Sequence, residues 1–196
     1  MTRTAILLLA AGASSRMRGA DKLMEDVDGQ PLITRMCRRA ALTGLPVFVT
    51  LPGLSHPRAA AIRGATPVAV PDAAEGMAAS IRRGVTALPG ETDAVMILPA
   101  DMPEITTQDM MQLAARQGGP QSPILRASAQ DGTPGHPVLF PRRCFAALQA
   151  LEGDQGGRSI LAGEEVLKIP LPGNRALTDL DTPEAWAKWR ESRAAP

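Results

Sequence analysis

"TAILLLAAGASSRM", residues 4–17, carries the reading of the fold. Residues 4–10 form a continuous apolar run without period-two alternation, the pattern of a β-strand covered on both faces. At Gly12 the composition turns small and polar, and Arg16, Arg18 and Lys22 follow within one short reach. A buried strand that opens at once into a glycine turn is the start of a βα unit. In an open parallel sheet, ligands sit in the loops beyond the carboxyl ends of the strands. Gly12 has no side chain, so backbone N–H groups there can approach an anion closely. The three cations carry donors suited to phosphate oxygens. A tight turn with solvated cations is the other reading of the same residues.

Working outward, strand and helix alternate. Pro31 opens a helical stretch with Leu32, Ile33, Met36, Cys37, Ala40 and Ala41 on one stripe, and Gly44 closes it. "PVFVTLP" and "TPVAVP" read as the second and third strands. Gly76 introduces the amphipathic "MAASIRRGVTAL", and "DAVMILPAD" is a fourth strand. Residues 107–117 read as helix, "SPILRAS" and "HPVLF" as strands, residues 142–151 as helix, and "EVLKIPL" as strand. "TPEAWAKWRES" is a last helix with Thr182 as N-cap and Pro183 at its first position. The pattern predicts a mainly parallel α/β sheet with helices on both faces. No internal repeat or long linker divides it, so residues 1–196 are expected to form one domain.

Composition excludes several function classes. A net charge of +1 gives no global field for a nucleic acid backbone or an anionic membrane. With no Tyr, three Phe and two Trp, stacking platforms for single-stranded bases are scarce. No apolar stretch approaches the roughly 18 residues that span a bilayer. No signal-peptide pattern is apparent, and Cys37 and Cys144 stand far apart outside any CxxC pair. Both read as reduced, half-buried thiols in a cytoplasmic protein.

Two common phosphate loops are absent: neither G-x-x-x-x-G-K-[ST] nor G-x-G-x-x-G occurs. Asp101 directly follows "VMILPA", which puts its carboxylate on the same sheet edge as the Gly12 loop. A carboxylate beside phosphate-binding cations calls for a divalent metal, and Mg²⁺ bridges one or two carboxylates and substrate phosphates. Asp179 and Asp181 are both placed to give a second carboxylate. Capping a turn or a helix entry is the alternative role for each of these acids.

Together, "LAAGASSRM…DK", "LPADMP", "GHPVLF", "GDQGGRSIL" and "DLDTPEAW" resemble the MobA-like nucleotidyltransferases, the molybdenum cofactor cytidylyltransferases in particular. The resemblance covers nearly the whole chain, with the motifs in the family's order, and implies a nucleotide-binding first half and an acceptor-binding second half. It implies a Rossmann-like fold and Mg²⁺-dependent transfer of a nucleoside monophosphate from an NTP, CTP by preference, to the phosphate of molybdopterin, with release of pyrophosphate. It implies that Leu9, Ala10, Ala11, Gly12 and Ala13 wrap the nucleotide and that Arg16 and Lys22 hold the triphosphate. Residues 75–80, with Gly76, Met77 and Ser80, would lie against base and ribose. Asp101 would be the principal metal ligand and Asp179 the second. Gly135, His136, Pro137, Gly156 and Arg158 would face the acceptor. A transient contact with a molybdoenzyme or its chaperone would follow from such a product.

The chain departs from the family at two places. Its loop reads Arg16-Met17-Arg18-Gly19 where the family has Arg-Met-Gly, so Arg18 is an extra or shifted residue. Val70-Pro71-Asp72 stands where cytidylyl members carry Asn-Pro; Asp72 either replaces the amide that reads the base or caps the following turn. "LAAG" rather than "LAGG" points to the cytidylyl branch. His136, between Gly135 and Pro137, reads as a loop residue rather than a general base, and the Trp186–Trp189 pair as packing. Competing readings are guanylyl transfer, transfer to a sugar or polyol phosphate, and a non-catalytic cofactor carrier. The cations and Asp101 speak against the carrier, which needs no machinery for a metal-bound triphosphate.

Overall fold

A computed structural model describes residues 3–153 and 156–194. Seven strands form one sheet: β1 (Thr4–Leu9), β2 (Val47–Leu51), β3 (Thr66–Ala69), β4 (Ala94–Pro99), β5 (Ile124–Ser128), β6 (Pro134–Pro141) and β7 (Val166–Pro170). Their order is β3-β2-β1-β4-β6-β5-β7. β1 pairs in parallel with β2 and β4, matching Leu8 to Val49 and to Leu98. β6 runs against both of its neighbours and pairs Val138 with Ile97 of β4.

The unbroken apolar run of β1 has its cause in the layers. Ile6 and Leu8 pack, with Met96 and Leu98, against one set of helices: Leu32, Ile33 and Met36 of α1 (Leu32–Ala41), Met110 and Leu113 of α4 (Thr107–Ala114), and Trp186 and Trp189 of α7 (Pro183–Ala194). Ala5 and Leu7 face the opposite layer, with Ala78, Ile81 and Val85 of α3 (Met77–Thr86) and Leu148 of α5 (Phe145–Gln149). Each Leu so buried is worth about 1.5–3 kcal/mol. Gly84 of α3 is where helix and sheet come closest: a Cβ there would lie 2.5 Å from the Leu7 methyls.

Most of the expected elements are present, with physical reasons for the differences. Pro31 keeps extended backbone angles and precedes α1 rather than starting it. β3 is an edge strand with exposed residues, and such an edge tolerates Pro67. The helix expected over residues 142–151 is a 3-10 turn, Arg142–Cys144, followed by the short α5. Thr182 does cap α7, its Oγ1 accepting from Ala185 N at 3.2 Å. Two short helices had no sequence signal: α2 (Pro57–Ala61) and α6 (Arg158–Leu161). Both cysteines are free and buried, and burial pushes the Cys37 thiol up to about 11. Among the described residues no helix is long and apolar enough to cross a membrane.

Candidate active site

A cavity of about 480 Å³ opens beyond the carboxyl ends of β1 and β4. Leu9, Ala10, Ala11, Gly12, Ala13 and Arg16 line it, as do Gly76, Met77 and Ser80 around the start of α3. Lys22, Asp101 and Asp181 are on the lining too. The loop after β1 is shaped by left-handed residues, Ser14 and Arg18 each having φ 53°. Among the described residues, the N–H groups of Ala11, Gly12 and Ala13 donate to no protein acceptor. Free amides, Arg16 and Lys22 thus stand together on one wall, donors of the type that can meet phosphate oxygens.

Lys22 stands between two carboxylates. Its Nζ donates to Asp101 Oδ2 and, at 2.5 Å, to Asp181 Oδ1, while Arg16 pairs with the other oxygen of Asp181 at 2.7 Å. Burial alone would lower the Lys22 pKa, but its pairing with Asp101 and then Asp181 outweighs burial and raises it. Burial opposes ionisation of Asp181 too, yet Lys22 and Arg16 hold its pKa below the usual value. Asp179 behaves in the opposite way. Burial, then the charges of Asp181 and Asp101, raise its pKa, and its side chain does not line the cavity. Of the two acids in "DLD", Asp181 therefore faces the site; the expectation placed Asp179 there. Leu180 N–H donates to Asp101 O at 3.1 Å and ties this segment to the end of β4, while Lys22 and Arg16 hold the Asp181 carboxylate at the cavity.

Asp101 Oδ1 is buried with no hydrogen-bond partner. A bare carboxylate oxygen in a lining shared with Asp181 fits a hard divalent cation. No group of three or more His, Cys, Asp or Glu forms a metal cage among the described residues. That donor set suits Mg²⁺ or a similar ion, which takes one or two carboxylates and completes its shell with phosphate and water.

Asp72 does not reach the cavity. It pairs with Arg83 at 3.1 Å and Arg82 at 3.4 Å, and its side chain caps nothing, so it performs neither of the two roles considered for it. Arg18 also points elsewhere, to Glu184 at the start of α7 at 2.5 Å.

A second cavity, about 660 Å³, adjoins the first: Leu9 and Met77 line both. His136, Gly156 and Arg158 lie on it with Arg126 and an apolar wall that includes Ile97, Val138 and Phe140. His136 reaches it because β6 is reversed, so the beginning of that strand lies beside the end of β4. Burial, then the charge of Arg126, lower the His136 pKa to about 4, and its Nδ1 is buried without a partner. It is a neutral imidazole at pH 7. Among the described residues neither Arg126 nor Arg158 pairs with an acid; Arg126 donates only to Gly135 O, at 3.0 Å. Gly135 and Pro137 were expected on this wall and are absent from it. Gly135 is instead a packing position, since a Cβ there would lie 1.9 Å from Ala176 O, and Pro137 is buried. Of the "GDQGGR" loop, Asp154 and Gln155 fall outside the described residues.

A match to the MobA-like NTP transferase domain runs over residues 6–169, from β1 through the second cavity. The chain belongs to this family. It is a nucleotidyltransferase. It is 27% identical over 190 residues to a probable molybdenum cofactor guanylyltransferase of Nostoc, covering 94% of this chain and 89% of the relative. It is 25% identical over 189 residues to the molybdenum cofactor cytidylyltransferase of Escherichia coli K12, covering 94% of each. Rv0371c of Mycobacterium tuberculosis has the same fold, with a TM-score of 0.84 at 24% identity over 97% of this chain and 98% of that one. A second crystal structure of Rv0371c is a complex with manganese, with a TM-score of 0.80 at 23% identity over 97% of this chain and 100% of that one.

Sequence reading passed over Arg126 on the second cavity and Arg58 behind the first. Arg126 carried a usable signal, a lone charge inside the apolar strand "PILRAS". Arg58 lies behind the glycine loop, 2% exposed, and nothing near it in sequence announces a site.

Proposed function

We propose that the chain transfers CMP from CTP to the phosphate of a molybdopterin-type acceptor and releases pyrophosphate. The observation that carries the reading is the meeting of the two cavities at Leu9 and Met77. One side holds free amides, Lys22 and Arg16; the other joins the guanidiniums of Arg126 and Arg158, neither on an acid among the described residues, to an apolar wall. A triphosphate fits the first, and a flat molecule bearing one phosphate fits the second. The names of the Nostoc and Escherichia coli relatives support the acceptor class.

In this reading an acceptor phosphate oxygen attacks the α-phosphorus, the bond from that phosphorus to the β-bridging oxygen breaks, and pyrophosphate leaves. The acceptor oxygen is already ionised, so no strong base is needed. A neutral, half-buried His136 agrees with that. Such a transfer asks the protein for alignment and charge neutralisation more than for covalent work. Arg126 and Arg158 orient the acceptor phosphate. Lys22 and Arg16 neutralise the charge gathering on the pyrophosphate. Asp101, through Oδ1, and Asp181 would hold the divalent ion, which when bound supplies positive charge to the phosphate oxygens.

Base choice rests on the first cavity. With Asp72 tied to arginines, the edge of the base is left to backbone groups of Leu9 to Ala13 and to the 76–80 segment. "LAAG" favours CTP; GTP is the second reading, supported by the Nostoc relative. The test supplies each of the four NTPs with Mg²⁺ and molybdopterin and follows pyrophosphate release. Release with CTP that depends on molybdopterin supports the proposal. Release only with a sugar or polyol phosphate in place of molybdopterin overturns the acceptor assignment.

A further inference from the structure

Arg58 is the most deeply buried cation among the described residues, and it touches neither cavity. An arginine taken this far from water is stable only when its donors are matched. Here all three nitrogens are used. Nε donates to Asp21 Oδ2 at 2.7 Å, and Nη2 to Asp21 Oδ1 at 2.7 Å and Ser14 Oγ at 3.0 Å. Nη1 donates to the carbonyls of Ala10 at 2.6 Å and Gly12 at 2.8 Å. The fork therefore grips three points of the loop after β1 and, through Asp21, the residue next to Lys22. α2 delivers it: the Nδ1 of His56 accepts from Arg58 N at 3.3 Å at the entry of that short helix.

These contacts decide which way the loop faces. The Ala10 and Gly12 carbonyls are turned onto Arg58, and the N–H groups of Ala11, Gly12 and Ala13 are left without protein acceptors on the cavity lining. A carbonyl turned toward the cavity would repel a phosphate. We propose that Arg58, keyed to Asp21, is a positioning residue that holds the 10–14 loop with its amides toward the triphosphate and Lys22 in register beside it. The inference rests on the nucleotide reading of the first cavity. Lysine cannot replace the fork, because one ammonium cannot span both oxygens of Asp21 and the two carbonyls together.

The test compares wild type, Arg58→Lys and Asp21→Asn, with CTP·Mg²⁺ and GTP·Mg²⁺ as probes in calorimetry and in the pyrophosphate assay. Both variants should raise the Kd and KM of the nucleotide, Arg58→Lys by about 10–100-fold and Asp21→Asn by less, as for other residues that orient a binding shell. The KM of the acceptor should stay within about twofold, since the second cavity does not contact the fork. In Arg58→Ala, added guanidinium should restore part of the nucleotide affinity. A lowered Tm with nucleotide affinity unchanged in the variants overturns the inference and leaves Arg58 a packing residue. If Arg58→Lys does not fold, Asp21→Asn decides by the same criterion. Wild type that binds neither nucleotide overturns the nucleotide reading itself, a result distinct from variants that bind as wild type does.

Discussion

Asp101 has one oxygen on Lys22 and the other, buried, on no protein donor. Asp101→Asn keeps the shape and removes the charge, so turnover should fall by about 10²–10³ while the fold persists. Pyrophosphate release and a thermal melt check this together, and full turnover at ordinary Mg²⁺ would refute the metal role. His136 gives a different kind of expectation. Its pKa is about 4 in the folded chain against 6.5 for an ordinary histidine, so between these values the unfolded chain binds more protons. Stability from this group is complete above about pH 6.5 and is lost as the pH falls through about 4. The gap corresponds to about 3 kcal/mol. Urea titrations at pH 7 and pH 4.5 should show a shallower loss in His136→Gln than in wild type. Equal losses would mean that the imidazole is not held neutral by its surroundings.

At the scale of elements, the start of β6 is fitted tightly to the turn that carries Ala176. Gly135→Ala would place a methyl on the Ala176 carbonyl, and the overpacking should cost about 1–3 kcal/mol, read in a denaturant titration. An unchanged midpoint would show that the 174–178 turn yields freely. The same contrast between local and distant causes explains what the sequence made legible. β1, β2 and β4 were plain because a strand covered on both faces must be apolar along its whole length. The Gly12 loop was plain because it begins where that run ends. α2 was not, because its five residues are ordered by His56 and by a guanidinium that reaches back to residues 10–21. The facing of Asp181 rather than Asp179 goes with its pairing to Lys22 and Arg16, across more than 150 positions of chain, which no local pattern encodes. Asp72 likewise looked free in sequence and is claimed by two arginines one helix turn or more away.

For the whole molecule the sharpest expectation is the choice of nucleotide. A site that hydrogen-bonds its base discriminates strongly, because the wrong base leaves buried polar groups unpaired. kcat/KM should be higher for CTP than for GTP with the same acceptor and metal; equality or reversal would move the chain out of the cytidylyl branch with the transfer chemistry intact. The position of β6 has a consequence for how the molecule is made. β3, β2, β1 and β4 are neighbours built from the first half of the chain, whereas β6 must enter between β4 and β5. β5 and β6 are joined by only the five residues 129–133, so they can pair locally before meeting the rest. Loop closure then favours a sequence of events: the first-half sheet forms with β4 as a temporary edge, and the β5–β6 hairpin docks on it late. Pulse-labelled hydrogen exchange during refolding should find amides of β1 and β4 protected before the β4–β6 ladder, and simultaneous protection would argue for a single concerted step. The loop after β1 would then take shape on the nascent protein before the wall of Arg126 and His136 exists, with the first cavity still lacking Asp181 from its lining.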